Sequence, residues 1–362
     1  MKAMTYSLYS NNALSFLLRF GCLCILLLQL SAPVSGQYAK TGKAIDTLSI
    51  ADPTIFKFQQ NGVIRYYLYG TAADQTVRAG FKGFVSSDLH HWKRILHNNS
   101  ASYLVLDSAH SYGNSGFWAP QVISLGGDRP FLMAYTASEQ IAIARSERGP
   151  EGPFVQKDPA KLFEDGFKHI DPFIYRDSAS GKTYIYYVKL DAGNKIYVAE
   201  LQAVSGAEKG QFTVKAGTEK RCIQATTDWE NTTAAKWPVT EGPTVLFHRG
   251  YYYLFYSAND FRNPDYSVGY ATSKSPTGPW VKAADNPIIT GAKTGLSGTG
   301  HGDVFQDKDG QYYYVFHAHH THSAVGPRKT YIMPFTFKAS RRSPDRIKMD
   351  YHSVRPLLLT HQ

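Results

Sequence analysis

Three carboxylates open aromatic strands in this chain, and their types and settings are those of an acid–base site. Asp52 lies in Ala51-Asp52-Pro53-Thr54-Ile55, Asp171 in Ile170-Asp171-Pro172-Phe173, and Glu241 in Thr240-Glu241-Gly242-Pro243-Thr244. Each leads into a strand-like run, YYLYG at 66–70, TYIYYV at 183–188 and YYYLFY at 251–256. Like charges held close raise the proton affinity of at least one member. A carboxyl pair whose pKa values are separated then supplies an acid and a base at neutral pH. Asp-Pro and Glu-Gly-Pro are also ordinary turn starters, which would explain any one of them alone. Three of them ahead of matching strands favour the chemical reading.

The elements that must position them repeat. Trp118-Ala119-Pro120 precedes FLMAYT at 131–136, and His301-Gly302-Asp303 precedes YYYVFHA at 312–318. Strand-like segments bounded by Gly, Pro, Asn and Asp recur from residue 50 onward, and no stretch sustains a helical apolar period. Thr240 to Ala258 reads as a hairpin closed by the two-residue turn Arg249-Gly250. Five openings therefore head five units, each long enough for four short strands, and such units repeated radially make a propeller. The expectation is an all-β chain, a five-bladed β-propeller with four antiparallel strands per blade, forming one catalytic domain over 37–362. On that architecture Asp52, Asp171 and Glu241 sit at equivalent positions and converge on the axis. Trp92, Phe154 and Trp280, each in a recurring turn, are expected to pack between blades.

The composition agrees with a globular protein: 362 residues, 43% hydrophobic and 19% charged, with 25 Tyr and 20 Phe that favour strands. The first segment differs. Lys2 and Arg19 precede the apolar run Phe20 to Leu30, which is short for a membrane span and reads as a secretory signal peptide over 1–36. Val34 and Gly36 supply small residues before a cleavage at Gln37. The mature protein is expected to be secreted or periplasmic, with no membrane span. Cys22 and Cys24 fall in that segment, which leaves Cys222 alone and excludes an internal disulfide. The formal net charge is +10, but the basic residues are scattered, so nucleic acid is not an expected partner.

These phrases, together with WAP at 118–120 and GTGHGDVF at 298–305, resemble glycoside hydrolase family 43 along nearly the whole mature chain. The resemblance implies a five-bladed propeller that hydrolyses arabinofuranosyl, xylosyl or galactosyl linkages with inversion. It gives Asp52 the role of general base, Asp171 that of positioning and tuning the acid, and Glu241 that of general acid. Inversion needs about 6.5–9.5 Å between base and acid, so that a water fits beneath the sugar. The implied partner is a carbohydrate, an arabinose- or xylose-containing glycan, and no cofactor is required. His301 corresponds to a position near a central water cluster or calcium ion. It is expected either to meet a calcium through waters, since calcium prefers oxygen ligands, or to act as a neutral hydrogen-bonding group.

Arg328, in VGPRKTYI, resembles an Arg that approaches substrate hydroxyls, and Phe117 and Trp118 at the second opening offer aromatic faces to a sugar ring. His317, His319, His320 and His322 alternate as residues on one strand face do, but no Cys or carboxylate nearby completes a zinc set. The leading expectation is an exo-acting α-L-arabinofuranosidase, with β-D-xylosidase or galactosidase as alternatives. A carbohydrate-binding propeller without catalysis is the alternative of another class, and it has no use for three acids that are costly to desolvate. A fructan-cleaving propeller would open on Asn-Asp-Pro-Asn, where this chain has Ala51-Asp52-Pro53-Thr54.

Overall fold

The computed structural model describes residues 45–360 except 73–78, 99, 101, 127–129, 207–209 and 342. The segment read as a signal peptide lies outside them. Five antiparallel sheets follow one another as the blades of a β-propeller. Blade 1 begins with Ile50–Gln60 and Val63–Ala72, blade 2 with Trp118–Ser124 and Phe131–Ala137, and blade 3 with His169–Arg176 and Thr183–Leu190. Blade 4 begins with Thr240–His248 and Tyr251–Ala258, and blade 5 with Gly300–Gln306 and Tyr312–Ala318. The turn between the first two strands of blade 4 has Arg249 at φ 45° and Gly250 at φ 80°. That is the left-handed pair which lets a two-residue hairpin follow the twist of its strands.

The blades are not uniform. Blade 4 has four strands, adding Ser267–Ser273 and Val281–Lys282, whereas blade 2 has three, ending at Gln140–Ser146. In place of a fourth strand, Val155 exchanges two backbone hydrogen bonds with Arg145 (3.0 and 2.9 Å). Pro150, Pro153 and Pro159 punctuate this segment, and a residue without an N–H cannot extend a ladder. In blade 3 the outer place is split between Phe212–Val214 and Lys220–Ile223, both paired with Asn194–Ala203. The ring closes on blade 1, where Leu358–Thr360 lies parallel to His91–Arg94 and carries Ile45–Thr47 on its far side.

Buried apolar side chains among the described residues fall into five clusters, one at each interface between blades. Trp92 is fully buried between blades 1 and 5 with Phe305 and Val315, and Phe154 between blades 1 and 2 with Tyr69 and Tyr135. Trp280 meets Tyr186 edge to face across blades 3 and 4 (centroids 6.2 Å). Truncating a buried aromatic of this kind costs about 3–5 kcal/mol, so these wedges hold the blades in the orientation that fixes the axial site.

Candidate active site

Each inner strand carries the same irregularity where it reaches the axis. The register shifts between Ala51 and Thr54, Trp118 and Gln121, Ile170 and Phe173, Glu241 and Thr244, and Gly300 and Gly302. At each bulge one residue has positive φ: Asp52 (49°), Ala119 (43°), Asp171 (56°), Gly242 (60°) and His301 (38°). A bulge of this kind turns a side chain out of the ladder and leaves a backbone N–H without its strand partner.

Those amides are met by the preceding blade. Asp52 N–H donates to His317 Nδ1 (3.1 Å), Ala119 N–H to Thr71 Oγ1 (3.0 Å), Asp171 N–H to Thr136 Oγ1 (2.9 Å) and His301 N–H to Ser257 Oγ (2.7 Å). These four acceptors occupy one repeated place on the second strand, opposite the residue before or at the bulge. In blade 3 that place is Val188, paired with Ile170, and a valine accepts nothing. The amide it leaves, Gly242 N–H, donates instead to Asp171 Oδ2 (3.2 Å). The missing hydroxyl in blade 3 is thus what ties the Asp171 carboxylate to the strand that bears Glu241.

The expectation that the three carboxylates are equivalent needs correction. Asp52 and Asp171 are the positive-φ residues of their bulges, whereas Glu241 stands one residue earlier, before Gly242. The reason is spatial. A Cβ at position 242 would lie 2.8 Å from His301 Cδ2, closer than side chains pack, so the axial place in blade 4 has room only for glycine. The carboxyl group comes from the residue before it.

Asp52, Asp171 and Glu241 are 8%, 6% and 9% exposed, and all three line one cavity of about 330 Å3 with Trp118, Asn194, Trp237, Asp260, Phe261, His301 and Arg328. Arg328 Nη1 donates to Asp52 Oδ1 (3.0 Å) and Thr71 Oγ1 to Asp52 Oδ2 (2.6 Å). Burial pushes Asp52 up, but the Arg328 guanidinium, with His301 and His317, outweighs it and holds the carboxyl well below the usual carboxylate range. Glu241 has no such cation. It accepts from Tyr266 Oη at Oε1 (2.8 Å) and from Asn194 Nδ2 at Oε2 (3.0 Å). Burial pushes it up to about 7 against those two hydrogen bonds, with the Asp52 charge adding to the rise. Asp171 is driven well above the usual range by burial and by the charges of Glu241 and Asp52. Asp171 and Glu241 are thus raised together, while Asp52 is lowered.

His301 sits between the aspartates, with Nδ1 3.5 Å from Asp52 Oδ1 and 3.8 Å from Asp171 Oδ2, and burial lowers its pKa. Below it, Asp303 accepts from Thr54 (2.5 Å) and Thr244 (2.6 Å), one hydroxyl on each oxygen. Asp52, Asp171, His301 and Asp303 help to line a small space of about 20 Å3, room for about one water. Among the described residues no group of three His, Cys, Asp or Glu is disposed to hold a metal. A ring nitrogen and carboxylates already engaged by hydroxyls and a guanidinium are not the oxygen-rich set that calcium takes.

Of the other residues singled out by sequence, Trp118 and Arg328 line the cavity, and the Arg328 guanidinium also lies over the Phe261 ring (4.6 Å). Phe117 does not reach it. Its ring is fully buried and stacks on Tyr135 (5.9 Å), because neighbouring residues on a strand point to opposite faces. The histidine run divides: His317 serves Asp52, while His319 Nε2 meets the Phe261 carbonyl oxygen (2.7 Å). Trp237, Phe261 and Tyr266 come from connections that carry no repeat, and Asn194 stands at the very start of the third strand of blade 3, so no recurrence in the sequence marks them. Thr71, by contrast, lies in the repeat.

Residues 42–341 match the model of the family described as Glycosyl hydrolases family 43. The chain is 38% identical to an endo-1,4-beta-xylanase from Bacteroides thetaiotaomicron of known structure, with a TM-score of 0.75 over 88% of this chain and 99% of that one. It is 35% identical to a thermostable family-43 glycoside hydrolase, with a TM-score of 0.68 over 82% of this chain and 95% of that one. It is 25% identical over 292 residues to the beta-D-galactofuranosidase xynD of Aspergillus niger, 77% of this chain and 76% of that protein.

Proposed function

Because this chain belongs to glycosyl hydrolase family 43 and is a glycoside hydrolase, we propose that it removes terminal α-L-arabinofuranosyl residues from plant-type glycans by inversion, with Asp52 as base and Glu241 as acid. The observation that carries the roles is the separation of protonation states in one cavity. Arg328 lies 3.0 Å from Asp52 and holds its pKa well below the usual carboxylate range, whereas Glu241 meets the neutral Tyr266 and Asn194 and is raised to about 7. In the reaction Asp52 takes a proton from a water whose oxygen bonds to the anomeric carbon from one face. The bond from that carbon to the leaving oxygen breaks on the other face, and Glu241 gives that oxygen its proton. The sugar departs with inverted configuration, and solvent exchange returns Asp52 and Glu241 to their starting states. Asp171, raised together with Glu241, is assigned to position the acid and tune its proton affinity. Nη donors of Arg328 and the face of Trp118 are assigned to the sugar. No step is assigned to a metal ion. The apolar run at Phe20 to Leu30 supports export, so the substrate is met outside the cytoplasm.

The furanoside reading draws support from the relative named as a beta-D-galactofuranosidase, since β-D-galactofuranose and α-L-arabinofuranose share ring configuration and differ outside the ring. A β-xylosyl linkage is the second reading, supported by the name of the relative of known structure that is 38% identical. Initial rates on aryl α-L-arabinofuranoside, β-D-xyloside and β-D-galactofuranoside separate them. The arabinofuranoside is expected to be cleaved fastest, and a higher kcat/KM on the xyloside would replace the first reading with the second.

A further inference from the structure

Glu241 is held from two sides that are not chemically alike. The Tyr266 hydroxyl at Oε1 (2.8 Å) can rotate and either donate or accept. The Asn194 amide at Oε2 (3.0 Å) has a donor end and an acceptor end, and which end faces Glu241 depends on what meets the other. That other group is Trp237 Nε1, 2.8 Å from Asn194 Oδ1, and an indole N–H can only donate. It therefore fixes Oδ1 as the acceptor toward itself and turns the NH2 toward Glu241. The backbone holds the amide in place: Asn194 N–H donates to the Pro238 carbonyl (2.9 Å) and Thr240 Oγ1 to the Asn194 carbonyl (3.0 Å). Trp237 itself is 47% exposed and stands on the wall of the cavity. A side chain at the rim is thus joined to the buried carboxyl by two hydrogen bonds in series.

We propose that Trp237 is a positioning residue for the acid step: by locking the Asn194 amide it keeps Glu241 Oε2 an acceptor and confines the transferable proton to Oε1. This rests on the reading of Glu241 as the general acid. An oxygen that accepts from an amide is the poorer site for a proton, so the orientation of one carboxamide decides which oxygen carries it. Without the indole donor the amide is free to turn. Its Oδ1 would then accept from a protonated Oε2, which stabilises the acid form and draws the proton away from Oε1. The acid would hold its proton to higher pH and deliver it less well. A sugar on the leaving-group side, seated at the rim, meets the same indole, so leaving-group binding and the state of the acid share one side chain.

Trp237→Phe keeps a ring at the rim and removes the donor. With circular dichroism and the thermal midpoint as checks of folding, kcat on an oligosaccharide is expected to fall about tenfold, and KM to change less than about twofold. The alkaline limb of the kcat profile is expected to move up by about half a unit, and kcat on an aryl glycoside with a good leaving group is expected to fall less than kcat on the oligosaccharide. Asn194→Ala should move the limb in the same direction, and adding Trp237→Phe to it should change nothing further. A raised KM with kcat and the alkaline limb as in wild type would make Trp237 a contact surface only, and additive effects in the double variant would also overturn the relay. Glu241→Gln measured alongside separates the two levels. If it shows no preference for good leaving groups, the reading of Glu241 fails. If it shows that preference while Trp237→Phe and Asn194→Ala both leave the limb in place, the relay alone fails.

Discussion

Arg328 reaches Asp52 across 276 residues of sequence, with Nη1 3.0 Å from Oδ1, and this contact sets the two carboxyls of the proposed reaction apart. Both are buried, and burial alone raises both. The guanidinium reverses the effect at Asp52 and not at Glu241, whose partners are the neutral groups Tyr266 and Asn194. A base ionised over a wide range and an acid still protonated near neutrality follow from where one charged side chain ends.

Arg328→Met should let burial dominate at Asp52. The pKa of Asp52 then rises, so the acid limb of the kcat/KM profile moves to higher pH and the rate falls by about a hundredfold. Kinetics from pH 3 to 9 check this. An unmoved acid limb with only KM raised would make Arg328 a substrate ligand and nothing more.

Glu241 links stability to pH with a definite sign. Its folded pKa, about 7, lies above that of an unfolded glutamate, so between the two values the folded state binds more protons and stability falls as pH rises. Glu241→Gln removes this penalty. The variant is expected to melt above wild type at pH 8, by an amount corresponding to roughly 1–3 kcal/mol, and to lose that advantage at pH 4. Thermal melts at both pH values measure it. An equal difference at the two would show that burial does not perturb Glu241.

Val188 is the one position where the repeated acceptor of a bulge amide is absent. Val188→Thr should supply it. The new hydroxyl can take the Gly242 N–H now held by Asp171, so the variant should lose about 1 kcal/mol less stability than Val198→Thr, a fully buried valine of the same blade. Asp171, relieved of that donor, binds its proton more firmly and repels Glu241 less, so the alkaline limb of the profile should move down. Equal destabilisation of the two variants would show that the Gly242 amide does not reach position 188.

The repeat and the fold it implies were legible because each blade restates them. Gly and Pro at the openings, an aromatic second strand and an aromatic wedge such as Trp92 or Trp280 recur in the sequence with their meaning intact. The loss of the fourth strand from blade 2 was not legible, since it depends on prolines beyond the repeated core. Nor was the displacement of Glu241 by one residue, which comes from the space His301 takes beside Gly242. One further signal was present in the letters. Thr71-Ala72, Thr136-Ala137, Ser257-Ala258 and His317-Ala318 end their strands alike, and Val188-Lys189 breaks the pattern where Asp171 takes over. Trp237 and Tyr266 lie in connections without any repeat, and Asn194 at a strand start that no other blade restates, so only the folded chain brings them to Glu241.

The division of roles between Asp52 and Glu241 is tested most directly by the leaving-group dependence of kcat/KM in Glu241→Gln and Asp52→Asn. A sugar departs as a poor alkoxide and needs the proton from Glu241, whereas a nitrophenolate departs without one. Water activation by Asp52 is needed whatever leaves, and either form of help is worth about a hundredfold to ten-thousandfold. The account predicts that Glu241→Gln keeps most of its activity on nitrophenyl glycosides while losing it on oligosaccharides, and that Asp52→Asn loses both. The same dependence in the two variants, or its reversal, would contradict the assignment.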